Sequence, residues 1–235
     1  MDYRELQPPD ALKPLVKAGW TLATGGDPED EFSHVATPDG CVEIIRRLEG
    51  RSRWGEDQPP CFVAGLITRP VELRLGGSAR FVGLRLWPWA WNALGRVPCP
   101  AFLDRWLPLL DDALPETLDE AFSAFGATLD ADTADLADSI LASRGAGELA
   151  RRSGRSARWL QRWFQREIGV APRTYLRLLR FQESLAGLAG SGDSLADHAA
   201  AHGFADQAHM AREFRSMAGV PARKARAKAR GPFLS

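Results

Sequence analysis

The sequence predicts an α+β protein of two domains, in which an antiparallel β-barrel or β-sandwich with flanking helices precedes an all-α domain. From Trp20 to about Gly83, short apolar runs alternate with turn residues, which is the pattern of strands in an antiparallel sheet. After Gly145, apolar residues recur at helical spacing almost to the end of the chain. With 235 residues, of which 45% are hydrophobic, the chain can build a core in each domain.

Charge divides the chain at the same place. Residues 1–144 carry 14 Lys and Arg against 23 Asp and Glu, a net charge of −9, whereas residues 145–235 carry 16 against 7, a net charge of +9. Fourteen of the sixteen C-terminal cations are arginine, whose forked guanidinium suits phosphates and guanine edges. This asymmetry predicts that the C-terminal domain binds nucleic acid and that the N-terminal part has another role.

The β-rich domain is predicted over residues 1–110. Its apolar runs and turns are spaced as expected for a small sandwich or barrel. In chain order, the predicted strands are WTLAT, HVA, CVEIIRRL, CFVAGLI, PVELRL and ARFVGLRL, and the predicted turns are GGDPED, TPDG, EGRSRWGEDQPP and GGS.

Residues 111–144 are predicted to form a connector of two helices. Leu118, Phe122, Phe125 and Leu129 are spaced for one helical face. The outer surface of this segment is acidic, so it is a candidate for a dimer surface or for a bridge between the domains.

The all-α domain, residues 145–235, begins with a helix-turn-helix pattern. GELARRS forms a first helix, Gly154 allows a tight turn, and a second helix runs from about Ser156 to Ile168. Arginine pairs with guanine and glutamine with adenine in the major groove, so the polar face of the second helix is interpreted as a recognition face. Its inward residues are Leu160, Trp163, Phe164 and Ile168, and its outward residues are Arg158, Gln161, Arg162 and Gln165.

The same pattern recurs after a connecting helix. That helix runs from Pro172 to about Leu188, about 25 Å at the usual helical rise. A Ser-x-x-Asp cap opens the next helix, from Ser194 to His202, and a last recognition helix is predicted between an N-cap at Asp206 and a stop at Gly219. Its core stripe is Phe204, Met210, Phe214 and Met217, and its outward residues are Gln207, Ala208, Ala211, Arg212 and Arg215.

Two recognition helices on a rigid spacer suit successive major grooves of duplex DNA, about 34 Å apart, provided that the DNA bends. Further cations on this domain are predicted to contact phosphates and to make the affinity salt-dependent. The additional candidate DNA contacts are Arg155, Ser156, Arg166, Arg173 and the basic tail RKARAKAR.

The C-terminal segment resembles the double helix-turn-helix domain of AraC-type (AraC/XylS) transcriptional regulators. The resemblance covers residues 147 to about 226 and includes L-A-x3-G, Y-L-x3-R and G-F-x-D-x3-M-x3-F. It implies base contacts from Arg158, Gln161 and Arg162 in the first unit, and from Gln207, Ala208, Ala211 and Arg212 in the second. The closing motif departs from the family pattern, because Ala225 stands where the family has tyrosine, and this predicts a less firmly anchored second unit.

The N-terminal portion more loosely resembles an uncharacterised domain of some of these regulators, through HVATPDGCVEII, VAGLITRPVEL and FVGLRLWPWAW. The resemblance implies an effector-sensing or dimerising module. This portion is rich in tryptophan, and aromatic-lined cavities suit apolar or cationic ligands. The tryptophans could equally fill a core or a dimer interface, and the sequence leaves both interpretations open. The candidate effector-binding residues are Cys41, Glu43, Trp54, Trp87, Trp89 and Trp91, and Glu43 is a candidate structural partner of Arg46 or Arg85.

The sequence favours a regulator without catalytic residues, cofactor or metal. His198 and His202 share a helical face, but apart from His209 no further ligand is evident. Cys41, Cys61 and Cys99 are isolated and are expected to be small buried residues. One alternative is a DNA-repair enzyme that accepts methyl groups on a cysteine, and another is a constitutive DNA-binding protein whose N-terminal domain only dimerises.

The expected partners are double-stranded promoter DNA, a small-molecule effector, a second copy of the chain and, for an activator, RNA polymerase. The N-terminus lacks a basic-then-apolar run, and Arg85 and Pro88 interrupt the most apolar segment. The chain is therefore expected to be cytoplasmic, with no membrane partner.

Overall fold

The computed structural model describes residues 1–27, 29–188, 194–230 and 233–234, without the side chains of residues 227–230 and 233–234. The strands are β1 (Asp2–Leu6), β2 (Val16–Ala23), β3 (Glu31–Ala36), β4 (Val42–Trp54), β5 (Glu56–Asp57), β6 (Cys61–Ala64), β7 (Val71–Leu86), β8 (Trp106–Pro108), β9 (Ala229–Arg230) and β10 (Phe233–Leu234). The α-helices are α1 (Pro88–Ala93), α2 (Leu118–Ala124), α3 (Ala131–Leu141), α4 (Ala146–Ser153), α5 (Ala157–Glu167), α6 (Pro172–Leu188), α7 (Leu195–Ala201), α8 (Gln207–Ala218) and α9 (Ala222–Lys228).

Strand β7 is the centre of a single antiparallel sheet. It pairs with β4 along most of its length, with β3 through residues 71–76 and with β2 through residues 80–86. On the far side of β4 the sheet continues through β6 and β8, and β1 pairs with β2. The N-terminal domain is therefore the predicted antiparallel β-domain.

Two predicted turns are parts of continuous strands. All of PVELRL except Pro70, and all of ARFVGLRL, belong to β7, and β4 runs through the predicted turn at residues 49–54. Gly77 and Gly50 take positive φ angles of 68° and 74°, and a Cβ on Gly50 would lie 2.5 Å from the Ala79 Cα. These glycines bend paired strands instead of reversing the chain, so this part of the prediction was wrong. Strand β1 was not predicted.

The segment between the domains contains the two predicted helices, α2 and α3. Thr117 and Asp130 cap them by accepting hydrogen bonds from backbone N–H groups. Helix α2 packs on β2 at Gly19, where an added Cβ would lie 2.6 Å from the Phe122 ring and 2.9 Å from Leu118. This helix therefore belongs to the core of the β-domain.

The C-terminal helices follow the predicted pattern closely. The turn glycine Gly154 is left-handed, Ser194 and Asp206 cap α7 and α8, and α8 ends at the left-handed Gly219. The last helix, α9, packs on α6 and α8 with Ala225 completely buried, so it is anchored without a tyrosine at this position. Beyond α9, β10 pairs with β3 of the N-terminal sheet.

The two domains share one continuous hydrophobic core. The buried Tyr175 hydroxyl of α6 donates to the Gly40 carbonyl at 2.8 Å, in the turn between β3 and β4. The Gln182 amide, also on α6, donates to the Pro38 carbonyl of the same turn at 2.6 Å. A second contact joins the Asn92 amide to the Glu167 carbonyl at the end of α5, at 2.7 Å. None of the described helices is both long and apolar enough to cross a membrane.

Candidate nucleic-acid interface

Helix α5 presents the first predicted recognition face to solvent. Ser156 opens the helix by accepting a hydrogen bond from the Trp159 N–H at 3.2 Å, so its hydroxyl serves as the cap. Leu160, Trp163 and Phe164 are buried against the rest of the domain. On the opposite face, the exposed residues are Arg158, Gln161, Arg162 and Gln165. None of these four side chains makes a hydrogen bond or ion pair within the described part of the chain, so all are available to a partner.

The predicted phosphate-contacting arginines flank this face and differ in their surroundings. Arg155 lies 4.8 Å from the Trp159 ring and pairs with Asp132 at 3.2 Å. Arg166 pairs with its neighbour Glu167 at 2.6 Å, whereas Arg173 is exposed at the start of α6. Both ion pairs are largely exposed, so exchanging an acidic partner for a phosphate costs little. The side chains at the end of the basic tail, residues 227–230, lie outside the described residues.

Helix α8 presents the second predicted face. Asp206 caps it by accepting from the His209 N–H, and Met210, Phe214 and Met217 are buried on its inner side. On the outer side, Gln207, Ala208, Arg212 and Arg215 are exposed and Ala211 is half-buried. The small residues let a flat surface approach the helix closely between the long donors.

Sequence reasoning missed the residue that holds α8 against α6. Glu213 accepts two hydrogen bonds from the Arg177 guanidinium, at 3.0 and 2.9 Å, and lies 4.0 Å from Arg180. A bidentate ion pair of this kind fixes the relative orientation of the two side chains and also stabilises the contact between them. The available signal was a lone acidic residue between Arg212 and Arg215 of α8. Glu213 therefore sets the orientation of the second recognition helix relative to the spacer α6.

The histidine pair of α7 has a packing role. His198 is buried, and its Nε2 lies 3.0 Å from both the hydroxyl and the carbonyl oxygen of Ser184 on α6. The His202 ring packs against it at an interplanar angle of 34°, with ring centroids 4.2 Å apart. Among the described residues, no group of three histidine, cysteine or acidic side chains is arranged to hold a metal ion.

The β-domain contains an apolar cavity of about 80 Å³, lined by residues of β2, β3, β4, β6 and β7. Three of the predicted effector-binding residues, Cys41, Glu43 and Trp54, line it. The other three, Trp87, Trp89 and Trp91, do not line this cavity. Trp87 and Trp89 stack on each other, Trp89 meets the Tyr175 ring edge-on, and Trp91 packs on Phe102. This cluster fills the core between the domains.

A buried ion cluster lies beside the cavity around Arg85. Its guanidinium binds Glu43 at 2.6 Å, Asp39 at 2.7 Å and Glu5 at 2.8 Å. Glu43 is thus a structural partner of Arg85, as one sequence interpretation held. Burial raises the pKa of Glu43 to about 7, although the Arg85 charge opposes this shift. Burial also lowers the pKa of His34, across the cavity, to about 4, so this imidazole is neutral at physiological pH.

The fold and the two exposed faces define a double helix-turn-helix DNA-binding protein joined to an antiparallel β-domain. Residues 149–228 match the family model described as a helix-turn-helix domain, and residues 4–108 match the model described as a domain of unknown function, DUF6597. The chain is a DNA-binding transcriptional regulator with a helix-turn-helix domain and a separate N-terminal domain.

Solved structures of similar proteins were also found. A transcriptional regulator with an AraC-type DNA-binding domain from Chromobacterium violaceum is 23% identical, over 40% of this chain and 88% of that one, with a TM-score of 0.37. ToxT from Vibrio cholerae bound to (E)-4-(8-methylnaphthalen-1-yl)but-3-enoic acid is 10% identical, over 88% of this chain and 98% of that one, with a TM-score of 0.49. ToxT bound to an unsaturated fatty acid is 12% identical, over 86% and 93%, with a TM-score of 0.46. No curated protein sequence matches the chain significantly.

Proposed function

We propose that this protein is a cytoplasmic, sequence-specific regulator in which both α5 and α8 read base edges and the β-domain adjusts DNA binding through a small-molecule effector. The observation that carries the DNA-reading half is the pair of exposed arginine and glutamine faces on helices whose opposite faces are buried. These faces contribute nothing to the core, and their chemistry matches guanine and adenine edges.

Contacts on α6 support the effector half. Thr37, Asp39 and Cys41 line the cavity, and Gly40 of the same turn accepts the hydrogen bond from Tyr175. Between the two α6 residues that contact this turn, Tyr175 and Gln182, the Arg177 side chain holds Glu213 of α8. A ligand that shifts the turn would therefore act on a helix that positions the second recognition face.

The test uses the full chain and a random pool of duplexes from which bound sequences are selected. Arg162→Ala is expected to weaken binding to the selected sequence by about 1–3 kcal/mol and to leave binding to unrelated duplex nearly unchanged. Arg212→Ala tests the second unit in the same way. Arg53→Ala, an exposed arginine on β4, is the matched control and should have no effect.

Equal weakening on every sequence would reassign Arg162 to the phosphate backbone. The length of the selected site shows whether one or both units read bases. Two symmetric half-sites would support the proposed homodimer. Transcription from a promoter carrying the selected site, with purified RNA polymerase, tests the proposed polymerase contact.

The proposal assigns no catalytic role to the cysteines. Cys41, Cys61 and Cys99 are all buried, and burial raises the pKa of each thiol, that of Cys99 to about 12. A methyl acceptor needs a thiolate, which these surroundings disfavour. Mass spectrometry after exposure to a methylating agent should find no preferential adduct on any of the three, and a stable adduct on one of them would favour the repair enzyme instead.

A further inference from the structure

The charges around the β-domain cavity limit the ligands that it accepts. Among the residues that the structure describes, no lysine or arginine lines it, whereas Asp39 and Glu43 do. Arg85, the nearest buried cation, is already bound by three carboxylates. An anionic ligand would lose its hydration without gaining a counter-charge, which is strongly unfavourable in an apolar site.

The carboxylates of the cavity are also occupied. Asp39 accepts from Arg85 and from the Cys41 N–H at 2.9 Å, and Glu43 accepts from Arg85 at 2.6 Å. A cationic ligand would have to compete with the Arg85 guanidinium, which is completely enclosed and held in place from three sides. Neither charged class of ligand therefore has an open partner at this end of the cavity.

Two neutral side chains in the cavity do have unused hydrogen-bonding capacity. Ser52 is 4% exposed and Gln58 is 7% exposed, and both line the cavity. The Ser52 hydroxyl is fully buried and has no hydrogen-bond partner, and the Gln58 side-chain amide makes no hydrogen bond within the described part of the chain. They are adjacent, because the Gln58 N–H donates to the Ser52 carbonyl at 2.9 Å. Buried polar groups are rarely left unpaired, so this end of the cavity lacks a polar partner.

The remaining walls are aromatic and aliphatic. Trp20 lies flat over Gly83 on the paired strand, where an added Cβ would lie 2.3 Å from the indole. Phe62, Phe81 and Trp54 are further walls, and Trp54 is only half-buried, so it can move outward. An apolar cavity of about 150 Å³ holds benzene. At about 80 Å³, this one takes at most a single ring, with some displacement of its walls.

We propose that the cavity binds an uncharged, single-ring organic molecule that carries a hydroxyl or carbonyl group, with the ring between the aromatic walls and its polar group on Ser52 and Gln58. This inference rests on the proposed effector function and specifies its ligand class.

Three probes of nearly equal shape separate the charge classes at neutral pH: benzyl alcohol, benzoate and benzylammonium. Titration calorimetry and thermal unfolding of the full chain should show benzyl alcohol binding at least tenfold more tightly than either ion. Stronger binding of an ion would overturn the ligand class and leave the effector proposal standing. Failure of all three probes and of toluene would overturn both, whereas the duplex selection with Arg162→Ala tests DNA reading independently.

Ser52→Ala locates the bound molecule. It should weaken benzyl alcohol binding about 3–10-fold, the usual loss for one neutral hydrogen bond, and should leave toluene binding unchanged. The thermal midpoint of the free protein should not fall, because the Ser52 hydroxyl has no partner to lose. Equal weakening of both compounds, or none, would show that Ser52 does not bind the polar group.

Discussion

Replacing Tyr175 with phenylalanine tests whether the two domains are coupled through α6. The change removes one hydroxyl, which donates to the Gly40 carbonyl at 2.8 Å, and both residues are buried. The shape of the ring is kept, so its contacts with Trp89 and Phe164 remain. Loss of a net hydrogen bond, together with a buried carbonyl left without a donor, corresponds to about 1–3 kcal/mol of unfolding free energy. For a chain of this size, that predicts a thermal midpoint lower by about 2–12 °C.

The assay is urea unfolding of the full chain, followed by both tryptophan fluorescence and circular dichroism. Because one core spans both domains, the two signals should coincide in a single transition for the wild type and for Tyr175→Phe. Tyr3→Phe removes the other tyrosine hydroxyl of the chain, which donates to Glu5 at 2.6 Å and accepts from Arg85 at 3.3 Å, so it measures the cost of a lost tyrosine hydrogen bond that does not involve α6. An unchanged midpoint for Tyr175→Phe, or a wild type that unfolds in two separate steps, would refute the coupling.

Two further predictions concern the ionisable groups. Glu213→Gln should lower the unfolding free energy by about 1 kcal/mol, discounted because the Arg177 side chain is 35% exposed. Glu148→Gln removes the i,i+4 ion pair with Arg152 on α4 and should lower it by less, and equal effects of the two variants in urea unfolding would remove the special role of Glu213. The folded-state pKa of Glu43, about 7, is above its ordinary value of 4.5, so this group contributes stability that is fully present below pH 4.5 and lost as the pH rises through 7. The folded-state pKa of His34, about 4, is below its ordinary value of 6.5, so this group contributes stability that is present above pH 6.5 and lost as the pH falls through 4. Between pH 4.5 and 6.5 the two slopes oppose each other. Glu43→Gln should therefore make stability rise with pH by up to ~1.4 kcal/mol per unit relative to the wild type, and a pH-independent difference between the two proteins would contradict the assignment.

The helical domain was predictable because its signals are local. Ser156, Ser194 and Asp206 cap the helices that follow them, and Gly154 and Gly219 take the left-handed conformation that a helix end favours. Each of these features depends on residues within one helical turn. The outward faces followed from the same periodicity, since the residues opposite a buried stripe of a short helix are exposed.

The β-domain was less predictable because strand pairing joins residues far apart in the chain. Nothing near Gly77 distinguishes a bent strand from a chain reversal, and the difference depends on pairing with β3 and β4. The sequence WPWAW does not indicate how deeply its tryptophans are buried, and Trp89 contacts Tyr175 only because α6 packs on the β-domain. The unpaired hydroxyl of Ser52 has no sequence signal at all.

The shared core has a practical consequence for work on fragments. Gly40 approaches α6 so closely that an added Cβ would lie 2.7 Å from Leu179, and Tyr175 is completely covered. In a fragment that begins at residue 145, this apolar side of α6 would be exposed to water. The side of α5 that contacts the segment around Leu103 would be exposed as well. Such a truncated protein would self-associate through its newly exposed surface, so its behaviour on DNA would report on clustering as much as on recognition.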